Sequence, residues 1–352
     1  MTYSVKVRAK DANRAIVEID DKKILDKTRK ITEEKGFVFI PITDTERCDI
    51  SIEHTFSRKK LKPKPKKKRF KDVVTKFLDD DEIEKLKTSF DIVGDLAIIE
   101  IDEELREKER QIAESLLETN KTVKGVFRKE SAHEGRFRTQ KMKHLAGENR
   151  LETTHKENNI RLKLDIEKVY FSVRQSTERK RVSSKVKDGE RVLVLFSGCA
   201  PFPCVIAKNS NPTFVCGVEI NPIGHEYGKE NVRLNRLENV YLSNNDVKDY
   251  DKVDDDFKKI EGYDRSFDRI VMPHPSDSEN FLEIALRFAT EGTEFNFYTF
   301  SDEDKIEEKK DEMKNICEKN GFGIQLHEHV LCGQHSPGHY RICIDFRITK
   351  KG

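Results

Sequence analysis

Apolar and polar positions follow a regular rhythm in the last two-thirds of this chain. Five short apolar runs, RVLVLF (191–196), FVCGVEI (214–220), VYLSNND (240–246), DRIVMP (268–273) and EFNFYTF (294–300), read as strands. Between or after them NPIGHEYGKENVRLNRL (221–237), SENFLEIALRFA (278–289) and EDKIEEKKDEMKNICEKNG (303–321) carry helical spacing. Asn221 is the expected N-cap of the first of these helices, with Pro222 at its first helical position. Strands that alternate with helices predict an α/β domain with a mostly parallel, doubly wound sheet over residues 161–352. Two consecutive strands at the end, IQLHEHVL (324–331) and YRICIDFRI (340–348), predict an antiparallel edge.

The first 160 residues are less regular and predict two smaller α+β domains. In residues 1–57, SVKVRA (4–9), AIVEID (15–20) and FVFIPIT (37–43) read as strands. ILDKTRKITEEKG (24–36) reads as a helix with Gly36 as its C-cap. In residues 72–160, VVTKFLDDDEIEKLKTSF (73–90) and EELREKERQIAESLLETN (103–120) read as helices, and DLAIIEI (95–101) and TVKGVFRK (122–129) as strands. No repeat is evident.

Composition adds limits. The 352 residues are 38% charged and 35% hydrophobic, which is enough for cores beneath a highly charged surface. No apolar run is long enough to span a membrane, and the N-terminus has no apolar signal core, so a cytoplasmic protein is expected. The seven cysteines form no C-x-x-C pair, so neither a zinc ribbon nor a disulfide framework is expected, and no metal site is expected from the spacing of His327, His329, His335 and His339. The net charge is only +2, but residues 58–71, RKKLKPKPKKKRFK, hold ten basic side chains and no acid. A prolyl, like-charged run reads as a linker or arm, suited to phosphate attraction and equally to simple solubility.

Ligands of doubly wound sheets bind at the carboxyl ends of the strands. Four features meet there: Gly198 in the turn after the first strand, Glu219 at the end of the second, Asp246 at the end of the third, and the loop MPHP (272–275) after the fourth. The acids suit a ribose diol and an adenine amino group. The turn lacks the G-x-G-x-x-G approach that a pyrophosphate needs, which favours a nucleoside cofactor without phosphate.

Several stretches resemble the archaeal and eukaryotic tRNA guanine-37 N1-methyltransferases: FRTQKMKHLAGENRLETTHKENNIRLKLDIEKVYFSVRQSTERKRV (137–182), VLFSGCAPFP (194–203), VEINPIGHEYGKENVRLN (218–235), DRIVMPHPSDSENFL (268–282) and YRICIDF (340–346). The resemblance implies a Rossmann-like class I methyltransferase domain with S-adenosylmethionine as cofactor. It places the cofactor among Phe196, Gly198, Pro201, Phe202, Glu219, Ile220, Asn245, Asp246 and Pro273. It assigns Glu178 as the general base that removes the guanine N1 proton and Arg138 as the cation that stabilises charge on O6. Arg179, Tyr170, Pro273 and Pro275 fall to the target base and its surroundings. Read without the resemblance, Glu178 and Arg179 also fit an exposed helix start, Arg138 a phosphate contact, and Tyr170 a core aromatic.

Two positions depart from the family pattern. Val194 stands where many members carry an acid near the end of the first strand, and Pro273 stands where many carry Asn. The P-x-P form resembles an archaeal subgroup that methylates carbon 7 of 4-demethylwyosine, giving isowyosine, with or without guanine N1. The expected partner is tRNA, bound at position 37 of the anticodon loop and along its body through residues 1–71, by a monomeric enzyme. Three other readings stay open: transfer of the aminocarboxypropyl group of the same cofactor, a catalytically silent tRNA-binding protein, and a dinucleotide oxidoreductase.

Overall fold

The computed structural model describes residues 2–64, 69–131, 135–276 and 278–350. The chain divides into two compact units, Met1–Arg69 and Phe70–Gly352. The first unit holds β1 (Thr2–Arg8), α1 (Ala12–Asp21), β2 (Thr32–Glu34), β3 (Phe37–Pro41) and β4 (Thr55–Lys59) in an antiparallel sheet of order β2-β3-β1-β4. Two expectations fail here. Residues 15–20 are helix, because Ala12, Ala15 and Ile19 fall on one helical face and are buried while Val17 is 59% exposed. Residues 24–36 form no helix: Leu25 bridges to Ile42, β2 pairs with β3, and Gly36 at φ 76° turns between them.

The basic run is also not wholly a linker. Arg58 and Lys59 end β4, Arg29 bridges to Pro63, and the Lys64 N–H donates to the Thr28 carbonyl at 2.7 Å. Residues 65–68 of that run lie outside the described residues.

The second unit opens with α2 (Phe70–Val74) and α3 (Asp80–Lys85), two short helices where one was expected. Asp79 explains the restart, since it caps α3 in a reciprocal capping box with Glu82. There follow β5 (Phe90–Val93), β6 (Leu96–Ile99), α4 (Glu109–Thr119), β7 (Gly125–Lys129) and β8 (Met142–Gly147), with sheet order β5-β6-β7-β8. A hairpin of β9 (Glu152–Glu157) and β10 (Ile160–Asp165) comes next.

The remaining elements are α5 (Ser176–Lys185), β11 (Arg191–Leu195), α6 (Pro201–Asn209), β12 (Phe214–Val218), α7 (Pro222–Leu234), β13 (Val240–Ser243), α8 (Tyr250–Phe257), β14 (Arg269–Met272), α9 (Ser278–Leu286), β15 (Glu294–Asp302), α10 (Ile306–Lys319), β16 (Phe322–Ser336) and β17 (His339–Lys350). They build a seven-stranded sheet of order β13-β12-β11-β14-β15-β17-β16, in which β17 alone runs against the others and pairs antiparallel with β15 and β16. Alternate residues of β11 explain the two layers of helix. Leu193 and Leu195 pack toward α8, α9 and α10, and Val192 and Val194 toward α5 and α6. Asn231 of α7 and Asn235 at its C-cap tie the hairpin to this sheet. Asn231 and Asn235 each accept from and donate to the backbone of β10, at Lys163 and Arg161 respectively. No helix among the described residues is long and apolar enough to cross a membrane.

Candidate cofactor and substrate site

A cavity of about 300 Å³ opens at the carboxyl ends of β11, β12 and β14. Its floor is the turn after β11. That turn is strained at two side-chain-bearing residues, Phe196 (φ 59°) and Ala200 (φ 63°), with Gly198 (φ 57°) between them. Left-handed non-glycine residues cost about 1–3 kcal/mol each and persist where the surroundings fix them. Here the fixing bonds are Ser197 N–H to the Val218 carbonyl (2.8 Å) and the Asn231 side-chain amide to the Cys199 carbonyl (2.9 Å).

Glu219 closes one wall. Its two carboxylate oxygens accept the N–H groups of Gly198 (2.6 Å) and Asn221 (2.7 Å). Burial raises its pKa, against the pull of these N–H groups. A carboxylate has about four acceptor positions, so the fixed group retains capacity for a diol. At Gly198 the space is open toward a ligand: a methyl group placed on its Cα would meet the Tyr170 carbonyl first, at 3.6 Å. Asn221 caps α7, its Oδ1 accepting from Ile223 N–H at 3.0 Å. Asp246 lines the far end and is ion-paired to Arg136. Ile220 and Phe281 supply apolar wall, Phe281 standing edge-on to Phe196 at 4.9 Å. A nucleoside with an apolar slot for its base and a carboxylate for its ribose fits these residues.

The opposite wall is formed by Tyr170, Arg179 and Arg138. Arg179 is 1% exposed and bound by Glu157 through two bonds, of 2.5 and 2.7 Å, with its guanidinium over the Phe171 ring at 5.0 Å. Burial opposes the charge on Glu157, but hydrogen bonds from His155 and Arg179 outweigh it and hold the carboxyl down to about 2. Arg138, at φ 52°, donates from Nη1 to the Ser276 hydroxyl at 3.0 Å and lies over the Tyr170 ring at 5.3 Å. It is thereby tied to the loop Pro273-His274-Pro275, all three of which line the cavity.

Most of the residues expected from sequence meet here, and two, Glu178 and Asn245, do not. Glu178 is not on the cavity wall. Its carboxylate accepts from Arg181 (2.5 and 2.8 Å) and from the Tyr298 hydroxyl (2.6 Å), within the sheet side of α5. Neighbouring residues on a helix point about 100° apart, so Arg179 facing the cavity turns Glu178 away from it. Asn245 is also outside the wall, because its amide donates to Ser243 Oγ (3.1 Å) and Asp256 (2.8 Å). Val194 is fully buried among Val182, Phe202 and Ile206, so the valine there belongs to the core and not to the cavity lining.

Sequence reasoning missed Gln175, 5% exposed, which lines the cavity with a side-chain nitrogen that has no partner among the described residues. Only its position one turn before Arg179 signals it. It also missed a second cavity of about 640 Å³, which shares Arg138, Val169, Tyr170, Phe171 and Ser172 with the first. This one lies between the β5–β8 sheet and the ends of β15, β16 and β17, and is lined in part by Phe300, His335 and Arg341.

Comparison with known proteins agrees with this architecture. Residues 153–325 match the TRM5/TYW2 methyltransferase domain, residues 70–150 the TYW2 N-terminal domain, and residues 4–47 the tRNA methyltransferase 5 N-terminal domain. The chain is 34% identical over 99% of its length, and 100% of the relative's, to Trm5b of Pyrococcus abyssi, named a tRNA (guanine(37)-N(1))-methyltransferase. The crystal structure of that protein superposes with a TM-score of 0.71, at 32% identity, covering 99% of this chain and 100% of the other. The structure of aTrm5 with tRNALeu superposes with a TM-score of 0.67, at 30% identity, covering 98% of this chain and 99% of the other. A further relative is Taw22 of Nanoarchaeum equitans, named a tRNA (guanine(37)-N(1))/4-demethylwyosine(37)-methyltransferase, 32% identical over 74% of this chain and 99% of its own.

Proposed function

This chain belongs to the TRM5/TYW2 methyltransferase family, and on that premise we propose that it methylates tRNA at position 37, on guanine N1, using S-adenosylmethionine. The observation that carries the reading is the wall between the two cavities. Arg138 and Tyr170 line both the cavity of Glu219 and the second cavity, so a base seated against them lies beside the cofactor site.

Glu219, Asp246, Ile220, Gly198 and Phe281 would hold the cofactor. When bound, it supplies a methyl group on a sulfonium sulfur. The protein's part is to position the acceptor and manage its proton. Guanine N1 holds a proton at neutral pH, and its removal places charge on O6. Arg138, fixed through Ser276, stabilises that charge. A preorganised donor of this kind is worth about 10²–10³ in rate. The N1 lone pair forms the new bond to the methyl carbon as the carbon–sulfur bond breaks, leaving a thioether.

The N1 proton goes to Glu178 in this reading. Its carboxylate must then exchange Arg181 and Tyr298 for the base. Asp345 eases that exchange, since it already accepts from Arg181 Nη1 at 2.6 Å and keeps the guanidinium paired when Glu178 leaves.

A second acceptor, carbon 7 of 4-demethylwyosine, is favoured by one feature. The loop beside Arg138 presents Pro273 and Pro275 to the cavity, with no carboxamide to read a guanine edge. Incubation with methyl-labelled cofactor and transcripts carrying guanine or adenine at position 37 tests the reading. Label is expected in the guanine transcript alone; equal labelling of both, or of neither, rejects it.

A further inference from the structure

We propose that the second cavity is a binding site for a nucleotide that flanks the target base in the single-stranded loop, held by Phe300, His335 and Arg341. The proposal rests on the tRNA reading above and adds a site to it.

Phe300 and Arg341 are directly paired across β15 and β17. The Arg341 guanidinium lies over the Phe300 ring at 5.8 Å, and His335 tilts against the same ring at 4.7 Å. Register shifts in the β16–β17 ladder fall between Leu331 and Gln334 and between Gln334 and Ser336, and His335 lies within the second. Bulges of this kind re-aim side chains, and they concentrate next to binding sites.

Among the described residues, the carboxylates that line this cavity are already paired. Asp91 is taken by Arg174 at 2.8 Å and Glu100 by Lys129 at 2.8 Å. Among the described residues Arg341 has no carboxylate partner, and its buried Nε has no acceptor. Its Nη2 donates to the Tyr170 hydroxyl at 3.3 Å. A buried guanidinium N–H without an acceptor is costly unless a ligand supplies one.

These groups continue into the first cavity. Phe300, Arg341, Tyr170 and Arg138 form an alternating series of aromatic rings and guanidinium groups, each in contact with the next. Single-stranded RNA is held by such surfaces, its bases stacked on rings and guanidinium planes and its oxygens met by cations. With the target base at the Arg138–Tyr170 end, the next nucleotide of a continuous strand reaches the Phe300–Arg341 end.

Abasic tRNAs test this with the full-length enzyme. Affinity is measured for intact tRNA and for tRNAs lacking the base at position 36 or at position 38. The wild-type enzyme is expected to lose on the order of 10-fold in affinity for one of the two abasic tRNAs. Phe300→Leu should weaken intact tRNA by a similar factor and erase the difference between intact and abasic tRNA. Arg341→Gln serves as a second variant, and cofactor affinity equal to wild type reports intact folding of each. Equal wild-type affinity for all three tRNAs overturns the proposal without any mutant. So does a full abasic penalty that persists in a folded variant. If the wild type neither binds nor methylates intact tRNA, the parent reading falls as well, and that outcome is distinct from the other two.

Discussion

Glu178 and Arg179 are adjacent in sequence, and helix geometry separates their work. Arg179 faces the cavity under the grip of Glu157, while Glu178 faces Arg181 and Tyr298. The assignment of Glu178 as base therefore makes a demanding prediction. Glu178→Gln keeps the shape and the contact with Tyr298 but cannot accept the proton. Methyl transfer to guanine 37 should fall by at least about 10²-fold, the low end of a lost general base, with cofactor affinity in calorimetry nearly unchanged. A mutant with wild-type turnover would leave Glu178 as a purely structural partner of Arg181. Arg138 is the residue at which sequence and geometry agree best, since its strained backbone and its bond to Ser276 hold it at the wall of both cavities.

Helix α5 is fastened to the sheet by charge. Arg181 and Lys185 both donate to Asp345 of β17 at 2.6 Å, and Asn296 of β15 donates to the same carboxylate at 2.8 Å. Burial opposes the charged form of Asp345, and these donors more than offset it, bringing the carboxyl from 3.8 down to about 2. A lowered folded-state pKa contributes stability that is present above the unfolded value and is lost as pH falls through the folded one. At roughly 1.4 kcal/mol per unit, the contribution is about 2 kcal/mol at neutral pH. Asp345→Asn should thus lower unfolding free energy by about this amount at pH 7, and the two proteins should converge as pH drops from 3.8 to about 2. Parallel profiles through that window would show that Asp345 does not anchor α5.

Among the elements, the sequence was legible where one pattern dominated. The parallel strands β11, β12 and β14 are apolar runs because both faces are covered, and Asn221-Pro222 marked the start of α7. It misled in the first unit. AIVEID satisfies strand propensity through Ile16 and Val17, but the burial of Ala12, Ala15 and Ile19 on α1 decided the outcome. The site was legible where a residue's role follows from its place at a strand end, as for Glu219 and Gly198. Gln175 and Arg341 were not, because their place on the cavity walls depends on neighbours distant in sequence and on bonds left unmade.

The whole molecule separates into a unit that contains both cavities, Phe70–Gly352, and a smaller unit with its own core around Val5, Ile19 and Ile40. The basic run of residues 58–71 falls at their junction in sequence. If the run engages the tRNA backbone, replacing its lysines with glutamine should weaken tRNA binding and flatten the dependence of log affinity on log salt, by about 0.7–0.9 for each phosphate no longer neutralised. Cofactor binding should not change. An unchanged salt slope would reduce the run to a connection between units.

In the proposed function, the base at position 37 meets the methyl donor at the wall of Arg138 and Tyr170. Mass spectrometry of nucleosides, after incubation of the enzyme and S-adenosylmethionine with tRNA bearing guanine 37 or 4-demethylwyosine 37, is the decisive measurement. The expected result is the gain of one methyl group on guanine at N1, and a methylated wyosine base as well if the proline loop admits carbon 7. Unmodified nucleosides from both substrates, or the mass of an aminocarboxypropyl group in place of a methyl, would overturn this assignment.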